Sequence, residues 1–237
     1  MKIAIFSDIH GNVEALRNAL KYLDKHKIDT IYCLGDIVGY GPSPNECVEI
    51  VRDRCEMVLM GNHDYAAIGL ANIDYFNDYA KMSTYWTINH LTDENKDYLR
   101  SLPFSHQNDE LVMVHSSPTN PSHWYYILSQ QDAKIEMESF NQQLCFIGHS
   151  HVPVIFQKKL MFRKTKFKLE QNEKTIVNVG SVGQPRDGNP KLCFTIYDDE
   201  NETIEYIRLE YDVKKTYKKI VEAGLPIFLA ERLLKGY

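Results

Sequence analysis

Short apolar runs punctuate the first half of the chain, and each of them stops at a polar cluster. Residues 2–6 read as a buried strand, and Asn12 can cap a helix whose apolar positions Val13, Leu16, Ala19, Leu20 and Leu23 recur at helical spacing. Residues 31–34 repeat the strand signal, 35–44 form a glycine and proline loop, 46–54 are helical, and 57–60 are a further strand. That alternation predicts βαβ units and a partly parallel sheet. Residues 64–100 turn helical and polar and could overhang whatever the strand ends hold. Apolar strands return at 111–114 and 144–147, with a helix near 132–140 between them.

From Val152 onward the pattern becomes β-rich, over 154–157, 160–169, 175–179, 192–197 and 203–209, with a turn at 198–201. The second half is therefore expected to supply a second sheet. Two short helices, near 213–222 and 226–234, end the pattern. With 237 residues and no internal repeat, long linker or low-complexity tract, one domain over residues 1–237 is expected.

Composition narrows the function classes. A net charge of -5 argues against broad attraction to nucleic acid or an anionic membrane. The five cysteines, Cys33, Cys47, Cys55, Cys145 and Cys193, show no CxxC spacing and read as reduced core thiols. The first apolar run meets Asp8 too early for a signal segment or a membrane span, so a cytoplasmic location is expected.

Five segments hold most of the chemistry, and each follows a predicted strand: Asp8-Ile9-His10, Gly35-Asp36, Gly61-Asn62-His63-Asp64, His115-Ser116-Ser117-Pro118 and Gly148-His149-Ser150-His151. Strand ends in an open α/β sheet face one crevice, so these residues can converge. In extended chain a spacing of two would send Asp8 and His10, and likewise His149 and His151, to one side. Aspartate and neutral imidazole suit Mn, Fe, Zn or Ni, and the lack of cysteine argues against a structural zinc site. The donors are too many for one ion and suit two, with Asp36 the natural bridge. Each segment alone is an ordinary cap or turn; their conjunction carries the signal.

Together these motifs resemble the calcineurin-like metallophosphoesterase family, over residues 8–151. The resemblance implies an αββα sandwich of two sheets with helices outside. It implies one divalent metal on Asp8, His10, Asp36 and His151 and a second on Asp36, Asn62, His115 and His149, with Mn foremost. It also makes His63 a phosphate-contacting acid, with Asp64 orienting or charging its imidazole. The expected reaction is in-line attack on phosphorus by a metal-bound hydroxide.

The segment Gly35-Asp36-Ile37-Val38-Gly39-Tyr40-Gly41 departs from the Gly-Asp-x-Val-Asp-Arg-Gly of many protein phosphatases, lacking the arginine at Tyr40. This lowers the protein phosphatase reading and moves the resemblance toward the smaller bacterial and archaeal phosphodiesterase-like branch. A replacement cation is Arg186, in the glycine-rich loop 178–188; the alternative is an Arg186–Asp187 pair in a plain connection. Trp124, just past His115, could stack on a nucleobase, or belong to an ordinary hydrophobic loop. The basic stretch 158–168 reads as a hairpin with one solvated face. The expected substrate is a small phosphorylated molecule, a nucleotide, with asymmetrical cleavage of dinucleoside tetraphosphates favoured. A non-catalytic scaffold and a nuclease are the rival readings, and a homo-oligomer is left open.

Overall fold

In the computed structural model, which describes residues 1–28, 30–170 and 172–237, twelve strands form two six-stranded sheets. The strands are β1 (Lys2–Phe6), β2 (Thr30–Cys33), β3 (Met57–Val58), β4 (Ser105–Gln107), β5 (Leu111–Val114), β6 (Leu144–Ile147), β7 (Val154–Gln157), β8 (Met161–Phe162), β9 (Lys166–Lys168), β10 (Thr175–Asn178), β11 (Leu192–Asp198) and β12 (Thr203–Leu209). The helices are α1 (Val13–His26), α2 (Pro44–Arg54), α3 (Asn62–Ala67), α4 (Asp78–His90), α5 (Asp93–Arg100), α6 (Gln130–Glu136), α7 (Val213–Glu222) and α8 (Ile227–Glu231).

One sheet runs β3-β2-β1-β11-β12-β9 and the other β4-β5-β6-β10-β7-β8. Within the first, β1, β2 and β3 are parallel; within the second, β5, β6 and β10 are parallel. Alternation along each strand builds the layers. Ile3 and Ile5 of β1 face the second sheet, packing with Met113, Phe146 and Val177, while Ala4 and Phe6 face the helix side with Leu16, Leu20 and Val48. The outer face of the second sheet, including Val112, Cys145 and Ile176, is covered by Ala133 and Met137. The expected αββα sandwich is therefore what the chain forms.

Two expectations are corrected. The second half does not make its own sheet: β11 pairs antiparallel with β1, and β10 pairs parallel with β6, so both sheets draw on both halves. Local pattern gives a strand's faces but not its neighbours. The stretch 160–169 is not a hairpin either: β8 pairs with β7 in one sheet and β9 with β12 in the other, so the basic segment crosses between sheet edges. At the start of α1, Asn12 caps as expected, its Oδ1 accepting from Ala15 N at 3.2 Å.

Candidate metal centre

Parallel strands put their C-terminal ends on one side, and here two parallel trios do so at the same end of the sandwich. Asp8 and His10 follow β1, Asp36 follows β2, Asn62 opens α3, His115 follows β5, and His149 and His151 follow β6. All seven are buried. Two motif glycines permit the convergence: a Cβ on Gly61 would lie 2.1 Å from Asp36 N, and one on Gly148 would lie 2.0 Å from Ser7 Oγ.

The paired residues do not work as extended pincers, which corrects the spacing argument. Asp8, His10, Asp36, His149 and His151 all adopt left-handed backbone, with φ of 55°, 50°, 53°, 65° and 60°. Such positions cost about 1–3 kcal/mol each and persist only where the surroundings fix them. For the first pair the fixing is main-chain hydrogen bonding between two turns: Asp8 N donates to Gly35 O at 3.0 Å and His10 N to Asp36 O at 2.9 Å.

Four imidazoles each donate one nitrogen to a main-chain oxygen. Nδ1 of His10, His115 and His151 lies 3.0, 3.0 and 2.6 Å from the carbonyls of Val38, Leu34 and Gln184, and Nε2 of His149 lies 3.0 Å from that of Trp124. A carbonyl only accepts, so a proton sits on that nitrogen and, in the neutral ring, the opposite one offers a lone pair. His10 Nε2 is 3.6 Å from Asp36 Oδ2, His115 Nε2 is 3.3 Å from the same oxygen, and His151 Nε2 is 3.3 Å from Asp8 Oδ1.

This donor set fits divalent cations. His10 Nε2 and His151 Nε2 face each other at 3.2 Å, two lone pairs that repel unless an electrophile lies between them. Asp8 Oδ1, Asn62 Oδ1 and His115 Nε2 are buried without a hydrogen-bond partner, a costly state that coordination relieves. Donor atoms of Asp8, His10, Asp36 and His151 lie within 4.8 Å of one another, as do those of Asp36, His115 and His149, so Asp36 belongs to both groups.

Burial sets most of the protonation states. It pulls His10 and His151 well below the ordinary imidazole range and His149 to about 3, leaving them neutral as ligation requires. His115 differs: burial works against its charge, but the Asp36 carboxylate beside it lifts it to about 9. Burial raises Asp8 to about 7, with His115 opposing and Asp36 adding to the shift. At Asp36 burial is outweighed by His115 and His63, which hold the carboxyl well below its usual range.

His63 packs against Tyr40, Phe76 and His10, with ring centroids 4.5, 5.2 and 5.0 Å away. Burial lowers it to about 4. Asp64 does not orient it, contrary to expectation: the Asp64 carboxylate accepts from Val38 N at 3.0 Å and Gly61 N at 3.1 Å, and His63 Nδ1 has no partner. Those two amides come from the Gly-Asp and Gly-Asn-His-Asp loops, so Asp64 ties the loops together.

Beside the cluster is a 310 Å³ cavity lined by His63, Asn62 and His149 on one side and by Phe76, Trp124 and Tyr126 among others. Asn77 and Ala80 at the start of α4 also line it, which bears out the expected overhang of the helical stretch. Trp124 packs its ring toward Tyr65, Phe104 and His115. Tyr126 belongs to the same aromatic run as Trp124 in the sequence; it stacks on His149 at 3.9 Å and is 49% exposed.

The glycine-rich loop joins the site directly. Gly183 N and Ser181 Oγ donate to Asp8 O at 2.9 and 2.8 Å. Arg186 is not paired with Asp187, which is bound by Arg208 instead. Its Nε and Nη2 donate to Gln184 Oε1 at 3.2 and 2.8 Å, and the Gln184 carbonyl holds His151. Gln184 lies in the glycine-rich loop that the sequence singled out for Arg186, but its link between Arg186 and His151 appears only in the structure.

Two facing sheets whose strand ends gather oxygen and imidazole donors around a shared aspartate define a class of α/β protein with clustered ligand groups for divalent cations. Residues 1–202 match the calcineurin-like phosphoesterase superfamily domain, and the chain belongs to that superfamily. It is 41% identical over 241 residues to an uncharacterized protein of Methanocaldococcus jannaschii, covering 99% of this chain and 98% of that one. A solved metallophosphoesterase from Sphaerobacter thermophilus matches with a TM-score of 0.90 and 38% identity, covering 100% of this chain and 99% of that one. A hypothetical protein from Pyrococcus horikoshii shares the fold with a TM-score of 0.84 at 23% identity, covering 100% and 98%. No helix of the described residues is long and apolar enough to cross a membrane.

Proposed function

We propose that the chain hydrolyses phosphodiester or phosphoanhydride bonds at a dinuclear centre, Mn foremost, held by Asp8, His10, Asp36 and His151 and by Asp36, Asn62, His115 and His149. The observation that carries this reading is the convergence of carbonyl-anchored imidazoles, free nitrogens inward, on the two aspartates Asp8 and Asp36. Divalent cations bound there supply an activated water and neutralise charge on the phosphoryl oxygens.

The chain's own residues do the rest. Asp36 Oδ1 accepts from His63 N at 2.8 Å, which fixes the base of α3 against the centre and aims the His63 ring into the cavity. His63 is neutral near pH 7, so it enters as a hydrogen-bond donor to the phosphate or departing oxygen, and anionic substrate oxygens beside it raise its proton affinity. Arg186 faces the same end, and its charge acts on Asp8, His10, His63 and His151. Tyr126 and Trp124 offer apolar surface for a base, which supports trying dinucleoside tetraphosphates first.

The test is turnover by metal-stripped protein, with and without Mn, on an aryl phosphodiester, an aryl phosphomonoester and diadenosine tetraphosphate, with products resolved by chromatography. Mn-dependent hydrolysis with unequal cleavage of the tetraphosphate is expected. No turnover with Mn, Fe, Zn or Ni would overturn the reading in favour of a scaffold.

A further inference from the structure

Two arginines from distant parts of the chain reach the same aromatic ring. Arg186 Cζ lies 5.7 Å from the centroid of Tyr40, and Arg232 Cζ lies 5.9 Å from it. Arg186 sits in the loop between β10 and β11, and Arg232 opens the 3-10 turn Arg232–Leu234 after α8, beyond the residues matched to the superfamily domain. Loop and turn are stitched together. Gly188 N donates to Gly236 O at 2.8 Å, and a Cβ on Gly236 would lie 2.6 Å from the Asn189 carbonyl carbon.

Each guanidinium is held along one edge, Arg186 by the amide oxygen Gln184 Oε1 and Arg232 Nε by the main-chain oxygen of Tyr237 at 2.5 Å. Among the described residues neither is ion-paired with an Asp or Glu side chain, the neighbouring Asp187 being taken by Arg208. Two half-buried like charges beside one ring, with no Asp or Glu side chain between them, are unfavourable, and burial together with Arg186 lowers Arg232 to about 10. An anion between them relieves this, and guanidinium forks match phosphate oxygens in geometry.

The pair is also tied to the centre through Arg186. Arg186 N donates to His151 O at 3.4 Å, and Gln184 binds both Arg186 and His151, so Arg186 is registered to the metal-ligand cluster. The charge of Arg186 acts on Asp8, His10, His63 and His151, and the charges of both arginines act on Tyr40. Tyr40 in turn lines the cavity that holds His63.

We propose that Arg186 and Arg232 form an outer anion subsite that binds a second substrate phosphate, one that is not attacked, so that this site prefers polyphosphate esters to single-phosphate esters. The identity of the attacked phosphate rests on the phosphoesterase reading; the anion binding rests on the arginine pair. A single-phosphate ester fills the centre and leaves the arginine pair without an anion. A substrate with consecutive phosphates spans both.

Calorimetric titration of the metal-free full chain with inorganic tripolyphosphate and with orthophosphate tests the subsite without turnover. The wild type is expected to bind tripolyphosphate more tightly. Arg232→Gln is expected to lose about tenfold in tripolyphosphate affinity, the loss of one charge-assisted hydrogen bond, and clearly less for orthophosphate. Equal affinity of the wild type for the two anions overturns the proposal whether or not the variant folds, and so does an equal loss for both anions in a folded variant. If the wild type hydrolyses no ester with any metal but keeps the contrast, the hydrolase reading falls and the subsite stands. If it hydrolyses esters and the contrast is absent, the subsite falls and the hydrolase reading stands.

Discussion

At the C-terminal ends of the parallel strands, seven metal-competent side chains are buried around a cavity of 310 Å³. At the opposite end lies a cavity of 630 Å³ rimmed by Asp109, Glu110, Asp199, Glu200 and Glu202. Volume and carboxylate count would favour the second. Its acids, however, stand in water, Glu200 with a side chain 80% exposed, and the Met1 amine pairs with Asp199 and Glu200. The smaller end has orphaned lone pairs, left-handed backbone and displaced protonation states. What separates the candidate metal centre from a merely concave end is desolvated donors lacking partners, since water satisfies exposed ones at little cost.

The contrast can be broken most sharply at Asp36. Asp36→Asn is expected to cut turnover by roughly a thousandfold and to weaken metal binding, read by kinetics and metal titration. Asp109→Asn and Glu110→Gln at the other end should leave turnover unchanged, and comparable losses at both ends would erase the distinction. His63→Gln should lower kcat by roughly a hundredfold while metal content stays at the wild-type level. Loss of metal in that variant would instead make His63 part of the ligand set.

Proton competition sharpens the comparison next. His115 is lifted to about 9 and Asp8 to about 7, so both hold protons below those values in the metal-free protein. A cation must displace them, so affinity falls as pH drops below 9, by about tenfold per pH unit for each proton released. Titrations at pH 6, 7.5 and 9 would show this, and flat affinity would contradict it. Arg186→Ala should raise KM about tenfold with a smaller change in kcat. The smallest effect belongs to the acidic end, where Glu200→Ala should shift unfolding free energy by less than about 0.5 kcal/mol in urea melts.

Much of this was legible in the sequence because each site residue is adjacent to a strand whose apolar run marks it. Asp8, Asp36, His115 and His149 announce themselves by position, and the structure brings them to one place. What stayed hidden was set by contacts distant in sequence. Nothing local distinguishes β8 from β9 as members of different sheets, and the Asp64 carboxylate serves amides of residues 38 and 61 rather than its neighbour His63. Arg232 carries no motif, and its place beside the loop 178–188 comes from the packing of that loop against the turn near Gly236. The left-handed pairs were misjudged because a spacing of two fits extended and turned backbone equally well.

The pairing of β1 with β11 also has a meaning in time. During synthesis Ile3 emerges early, but its antiparallel partner Tyr197 is made near the end of the chain. At about 5–20 residues per second that delay is roughly 10–40 s, during which β1, β2 and β3 present an open edge and an uncovered apolar face. Newborn chains are therefore at greatest risk of sticking to one another before β11 leaves the ribosome, and holding chaperones should raise the yield of folded protein more than any stabilisation of the finished sandwich.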